Sequence, residues 1–181
     1  EFLNLKKKLK CGKNVISEYD NNIPSDLLVE QILIRSGNIG SVRIGQKLGI
    51  DRLKLFFDKI GVLNKIDFDI EEVGEPIPFK WGKCKLATVS FGHGITTTPL
   101  QLAKGYAIIT NGGFEIKPSL IKKISEKNQK QKRIIKEGVS KKINRMLRKI
   151  VTTTEGTAGL ANIEGYEVGG KTGTAEKAIV G

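Results

Sequence analysis

Two short runs carry the residue types from which a reactive cleft is built. One is Lys171-Thr172-Gly173-Thr174. On a strand, side chains alternate between faces, so the hydroxyls of Thr172 and Thr174 fall on one side, and a cationic Lys171 beside them makes a pocket for a carboxylate. Gly173 has no side chain and allows close approach of another backbone. The other run is Ser36-Gly37-Asn38. Asn38 offers donors and an acceptor to a peptide amide, and Ser36 can relay a proton or hydrogen-bond a lysine. The run falls at a break between two predicted helices, where a loop can aim both side chains into one cleft. Taken alone, it also reads as an ordinary interhelical turn of small polar residues.

Lys171 belongs to a second pattern as well. Gly165 to Thr172 fits G-x-x-x-x-G-K-[ST] without mismatch, the loop of an NTPase in which backbone amides cradle phosphates, Lys171 reaches the terminal ones and Thr172 holds magnesium. Such a loop needs a buried strand before it and a helix after it. Residues 160–164 make a poor strand and Gly173 a poor helix start, so the P-loop NTPase stands as the alternative reading. His93 lies between Gly92 and Gly94 and reads as a loop histidine, since no nucleophile-elbow pattern accompanies it. Cys11 and Cys84 have neither the count nor the spacing of a disulfide framework or a zinc site, and read as buried structural thiols.

These runs sit in 181 residues, the size of one domain, with 39% hydrophobic and 28% charged residues and a formal net charge of +12. That mixture is globular and not that of a disordered chain. No apolar run is long enough to span a bilayer, and the N-terminus lacks the apolar core of a signal peptide. The chain starts at Glu1, its only methionine is Met146, and it stops in the apolar Ile179-Val180-Gly181, which suggests a piece of a longer polypeptide. Basic residues cluster at Lys6, Lys7, Lys8, Lys10 and Lys13 and again from Lys122 to Lys136. Aromatic content is only 6% and no aromatic lies near either cluster, so solvated surface charge is the favoured reading over a basic nucleic-acid-binding module.

The elements that must position the two runs follow from apolar spacing. A helix capped by Ser25 carries Leu28, Val29, Ile32 and Leu33 to about Arg35. A second carries Ile39, Val42 and Leu48 and stops at Gly49. A third starts at Asp51, buries Leu53, Phe56, Phe57 and Ile60, and stops at Gly61. Residues 63–90 read as a long loop around Trp81. Thr98-Pro99-Leu100-Gln101 is a capping-box start, after which Leu102, Ala103, Tyr106 and Ala107 pack until Asn111-Gly112-Gly113 ends the helix. Residues 114–124 read as extended, and the charged stretch to Lys136 as a hairpin or exposed loop. A last helix starts near Ser140 and buries Ile143, Met146, Leu147, Ile150 and Val151.

Taken together, the chain resembles the transpeptidase domain of class B penicillin-binding proteins, and within them the cell-division D,D-transpeptidases. Four blocks carry the resemblance in order: Leu28 to Gly40 around Ser36-Gly37-Asn38, Ser90 to Asn111-Gly112-Gly113, Glu155-Gly156-Thr157-Ala158, and Gly170 to Lys177. The resemblance implies an α+β penicillin-binding/serine β-lactamase-like fold, an antiparallel sheet flanked by helices plus a helical part, incomplete here. It implies acyl transfer at the D-Ala-D-Ala end of a peptidoglycan stem peptide through a serine ester. By carry-over, Ser36, Lys171 and Thr174 are the catalytic positions, and Asn38, Thr172, Gly173 and Thr174 the substrate-binding ones. Lys171 and Thr172 bind the substrate or β-lactam carboxylate, Ser36 and Asn38 assist proton transfer and hold the amide, and the Thr174 N–H serves the oxyanion hole.

The implied ligands are stem peptides and β-lactams, with cell-division or cell-wall synthesis membrane proteins as partners of the full-length protein. No cofactor, metal or nucleic acid is expected. The implied location is the bacterial inner membrane, catalytic domain on the periplasmic side. The family's nucleophile motif S-x-x-K is not found upstream of Ser36. Its single formal match, Ser119-Leu120-Ile121-Lys122, lies in a stretch expected to be extended, where no helical turn sets the lysine beside the serine. Residues 1–181 thus read as a partial transpeptidase domain, inactive alone.

Overall fold

The structure is a computed structural model of the chain, and it describes residues 2–5, 8–71, 73–122 and 132–174. In chain order the elements are β1 (Phe2–Asn4), β2 (Leu9–Cys11), β3 (Asn14–Ile16), β4 (Asp26–Leu28), α1 (Val29–Ile34), α2 (Asn38–Leu48), α3 (Ile50–Ile60), α4 (Lys83–Ser90), α5 (Pro99–Thr110) and α6 (Glu137–Thr152), followed by a 3-10 turn at Gly159–Ala161. The chain divides into two compact units. One takes in Glu1–Arg52, Lys80–Gly94 and Arg145–Gly181; the other takes in Leu53–Phe79 and Ile95–Asn144.

In the first unit the described strands form two antiparallel pairs, β1 with β4 and β2 with β3. Residues Leu9, Cys11 and Ile16 of the β2–β3 hairpin turn inward, while Lys10 and Val15, paired across the strands, face solvent. Leu5, Leu27, Ile32 and Ile39 make one core cluster, and Ile16, Val42 and Ala87 a second. Val42 and Ile32 are essentially fully buried, worth about 1.5–3 kcal/mol each relative to exposure. Two glycines let α2 come close to its neighbours. A Cβ on Gly40 would lie 2.7 Å from the Ile32 side chain, and one on Gly45 would collide with Ser90 of α4.

Several expectations are corrected in this unit. The segment after Ser25 is strand β4 and not the first turn of a helix. Leu27 points into the core there, and α1 starts only at Val29, where the Gln31 side chain accepts from the Leu28 N–H. Residues 83–90, expected as loop, form α4, because Leu86, Ala87 and Val89 find apolar partners. α2 stops at Gly49 as expected, in a left-handed conformation, yet Leu48 is exposed. Cys11 and Cys84 are not free thiols. They form a disulfide that ties the hairpin to α4, the Cα atoms 5.1 Å apart across 73 residues of sequence, a separation that carries no local signal.

The second unit packs Ile60, Val62 and Ile108 with Phe57, Leu63, Ile116, Ile134 and Ile135. α5 begins as its capping box requires: Thr98 accepts from the Gln101 N–H, and Gln101 accepts from the Thr98 N–H. Its inward face is Gln101, Gly105 and Ile108, whereas Leu102, Ala103 and Tyr106, expected to pack, face outward. Gln101 is buried because its amide also donates to the Asn64 carbonyl. Phe56, expected in the core, is exposed. α6 starts at Glu137, three residues before the expected Ser140. Ser140 is instead a buried tie that donates to the Ile109 carbonyl at 2.6 Å and accepts from the Gly112 N–H at 3.1 Å. Residues 113–115 pair with 132–134 through an antiparallel bridge at Phe114 and Arg133. The stretch expected to join them, 123–131, lies outside the described residues, as do Lys6 and Lys7.

Candidate active site

The first unit brings Ser36 and Lys171 together. Ser36 sits in the three-residue break between α1 and α2 with φ of 57°, a left-handed conformation that costs a non-glycine residue about 1–2 kcal/mol. The break is held by backbone bonds, Ser36 N–H to Leu33 at 3.2 Å and Gly37 N–H to Ile32 at 2.8 Å. Such strain persists only where the surroundings over-determine it, and it clusters at functional sites. Gly37, the residue before α2, supplies no side-chain cap. Glu18 replaces it: its two carboxylate oxygens accept from the N–H groups of Asn38 at 2.6 Å and Ile39 at 3.0 Å. The Asn38 side chain donates to the Ser17 carbonyl at 3.0 Å. The segment just after β3 therefore grips the turn that carries Ser36 and Asn38.

Lys171 comes from the far end of the chain. Its ammonium donates to Ser36 Oγ at 2.7 Å, to Thr172 Oγ1 at 3.0 Å and to the Thr172 carbonyl at 3.0 Å. Its three donors thus go to neutral acceptors. The side chain is half-buried, and that burial pushes its pKa below the ordinary lysine value of 10.5. A desolvated cation whose partners among the described residues are hydroxyls and a carbonyl is a receptor for an anion. α6 holds the approach to Lys171: Gly170 N–H donates to the Leu147 carbonyl at 3.2 Å, and Arg148 donates to the Val168 carbonyl at 2.8 Å. Ion pairs Arg35–Glu155 at 2.7 Å and Lys149–Glu30 at 2.6 Å tie the same helix and the residues after it to α1.

The remaining expected residues are placed differently. Lys171–Thr174 is not a strand among the described residues, so the alternation expected to set Thr172 and Thr174 on one side is not what orients them. Thr172 is oriented by its bonds to Lys171 and to Thr157 Oγ1, the latter at 2.8 Å. Thr174 is exposed, and a Cβ on Gly173 would meet nothing within 4 Å among the described residues. The strand that must precede a phosphate loop is not present, since residues 159–161 form a 3-10 turn where it is required. Ser119 lies outside any helix and donates to Asp69 at 2.6 Å. His93 is in a loop, its ring 4.9 Å from that of Phe91. Glu18 and Thr157 were not assigned roles from sequence. Glu18 is 20 residues from Asn38, and no spacing rule links the two.

Comparisons with known proteins bear on the family and the fold. Residues 2–180 match the family model of the penicillin binding protein transpeptidase domain. The chain is 33% identical over 171 residues to the probable peptidoglycan D,D-transpeptidase FtsI of Caulobacter vibrioides, covering 93% of this chain and 29% of that protein. It is 34% identical over 160 residues to the stage V sporulation protein D of Bacillus subtilis, covering 81% of this chain and 24% of that protein. The chain therefore spans 24–29% of the length of these relatives. Among solved structures, the transpeptidase domain of Burkholderia pseudomallei penicillin-binding protein 3 superposes with a TM-score of 0.85 at 23% identity, covering 95% of this chain and 52% of that one. That likeness establishes the penicillin-binding fold, mixed helix and sheet as expected. With the S-x-N turn and the K-T-G lysine in direct contact and the family model matched along almost the whole chain, the chain belongs to the family of penicillin-binding protein transpeptidase domains.

Proposed function

We propose that residues 1–181 are part of a peptidoglycan D,D-transpeptidase domain and supply its carboxylate-binding and proton-relay side. The observation that carries this is the half-buried Lys171 ammonium, 2.7 Å from Ser36 Oγ and bonded, among the described residues, to neutral acceptors. The terminal carboxylate of a stem peptide, or that of a β-lactam, takes the place beside Lys171 and Thr172. Asn38 holds the peptide amide. In the reaction the nucleophilic serine lies outside this chain. Its oxygen bonds to the penultimate D-Ala carbonyl carbon, the C–N bond to the terminal D-Ala breaks, and the serine proton passes through Ser36 to the leaving amine. An amine of a neighbouring stem peptide then displaces the serine ester and returns a proton to the serine. The Thr174 N–H stabilises the oxyanion in both steps, with Gly173 leaving room for the substrate backbone.

The Cys11–Cys84 disulfide favours an oxidising compartment, which supports a place on the outer side of the bacterial inner membrane. Among the described residues no helix is long and apolar enough to cross a membrane. Membrane proteins of division or cell-wall synthesis are the proposed partners of the whole protein. The test is a titration of the chain with an acetylated peptide ending in D-Ala-D-Ala and with its C-terminal carboxamide, followed by amide NMR. The carboxylate form should bind more tightly, the preference should vanish in Lys171→Met, and a fluorescent penicillin should leave no covalent adduct. Equal binding of the two peptides, or a heat-stable adduct, would overturn the reading.

A further inference from the structure

We propose that Thr157 is a positioning residue for carboxylate binding, holding the Thr172 hydroxyl so that its hydrogen is free for the ligand; this rests on the carboxylate site proposed above. A threonine hydroxyl has one hydrogen and two acceptor positions. Thr172 Oγ1 accepts from the Lys171 ammonium at 3.0 Å and lies 2.8 Å from Thr157 Oγ1, a contact in which either oxygen can donate. If Thr172 donates to Thr157, its only hydrogen is spent. A carboxylate offers acceptors alone, so Thr172 would then have nothing to give it. If Thr157 donates, both acceptor positions of Thr172 are filled and its hydrogen points to the ligand. An anion arriving beside Lys171 therefore selects the second direction, and Thr157 acts through Thr172 without touching the ligand.

The placement of Thr157 supports such a role. It is half-buried between two fixed points. On one side Glu155 pairs with Arg35 at 2.7 Å, next to Ser36. A Cβ on Gly156 would collide with the carbonyl of Ile150 in α6, so glycine is required for that close approach. On the other side the Ala158 N–H donates to the same Ile150 carbonyl at 3.2 Å. A hydroxyl held this firmly is ordered before the ligand arrives, which lowers the entropy lost on binding.

The experiment compares Thr157→Val and Thr157→Ser in the 181-residue chain, using the acetylated D-Ala-D-Ala peptide and its carboxamide as probes. Thr157→Val should weaken the carboxylate peptide about two- to tenfold, the range for one net hydrogen bond, leave the carboxamide peptide unchanged, and be rescued by Thr157→Ser. Thr157→Ala adds no bulk and should behave as the valine variant does, which keeps the test in force if valine disturbs folding. Carboxylate binding unchanged in Thr157→Val and Thr157→Ala, equal loss for both peptides, or failure of serine to rescue would overturn the role of Thr157 alone. A native chain that does not distinguish the two peptides would overturn the carboxylate site, and the role of Thr157 with it.

Discussion

Glu18 is the point at which the Ser36–Asn38 turn can be loosened without touching it. Its carboxylate is the acceptor for the first two N–H groups of α2, at 2.6 and 3.0 Å, and Gly37 has no side chain to replace it. Glu18→Ala removes both acceptors and a negative charge at the positive end of the helix dipole. Loss of a cap costs about 0.5–2 kcal/mol and loss of the charge about 0.3–1 kcal/mol, which together make about 2 kcal/mol. At 1.4 kcal/mol per tenfold, local opening of the turn becomes about 30-fold more frequent. Native-state amide exchange at Asn38 and Ile39 reads that opening directly. The Ile108 amide, in the core cluster of the second unit, serves as reference. Glu18→Gln keeps one carbonyl oxygen and should show an intermediate effect. Exchange at Asn38 and Ile39 in Glu18→Ala within about twofold of the native rate, less than the smallest cap worth considering, would refute the clamp.

Two further predictions concern the same unit. The Cys11–Cys84 bridge closes a loop across 73 residues, so Cys11→Ser/Cys84→Ser should lower stability by about 4 kcal/mol on the chain-entropy scale, measured by denaturant unfolding; a loss below about 1 kcal/mol would mean that the bridge constrains little. Burial lowers the Lys171 pKa below 10.5, so between that lowered value and 10.5 the unfolded chain holds more protons than the folded one. Stability should therefore rise with pH through that window, with the burial cost fully present below it. The difference between the native chain and Lys171→Met isolates this slope, and parallel pH profiles for the two would contradict the desolvation of Lys171.

The helices that sequence located best are those with signals inside a few residues: the Thr98 capping box of α5, the glycine stops after α2 and α3, and the apolar face of α6 at Leu147, Ile150 and Val151. The errors lie where a distant partner decides. Leu28 reads as helical by spacing but takes an extended place against β1, and α4 has little amphipathic pattern yet forms because α2 and the hairpin cover it. Phe56 and Leu102 follow helical periodicity and still face solvent, since periodicity says which residues share a face and not whether anything covers that face.

The same division runs through the site. The residue types of Ser36, Asn38, Lys171 and Thr172, and the order of the blocks that contain them, were legible in the sequence and were enough to identify the family. Contact between Ser36 and Lys171 spans 135 residues, the capping of Asn38 by Glu18 spans 20, and the pairing of Thr157 with Thr172 spans 15. None of these follows from a local rule, because a hydrogen bond depends on distance and direction in space. Sequence determined which groups are available for chemistry; the packing of α1, α2 and α6 decided which of them meet, and through that the hydrogen-bond partners of each and the lowered pKa of Lys171.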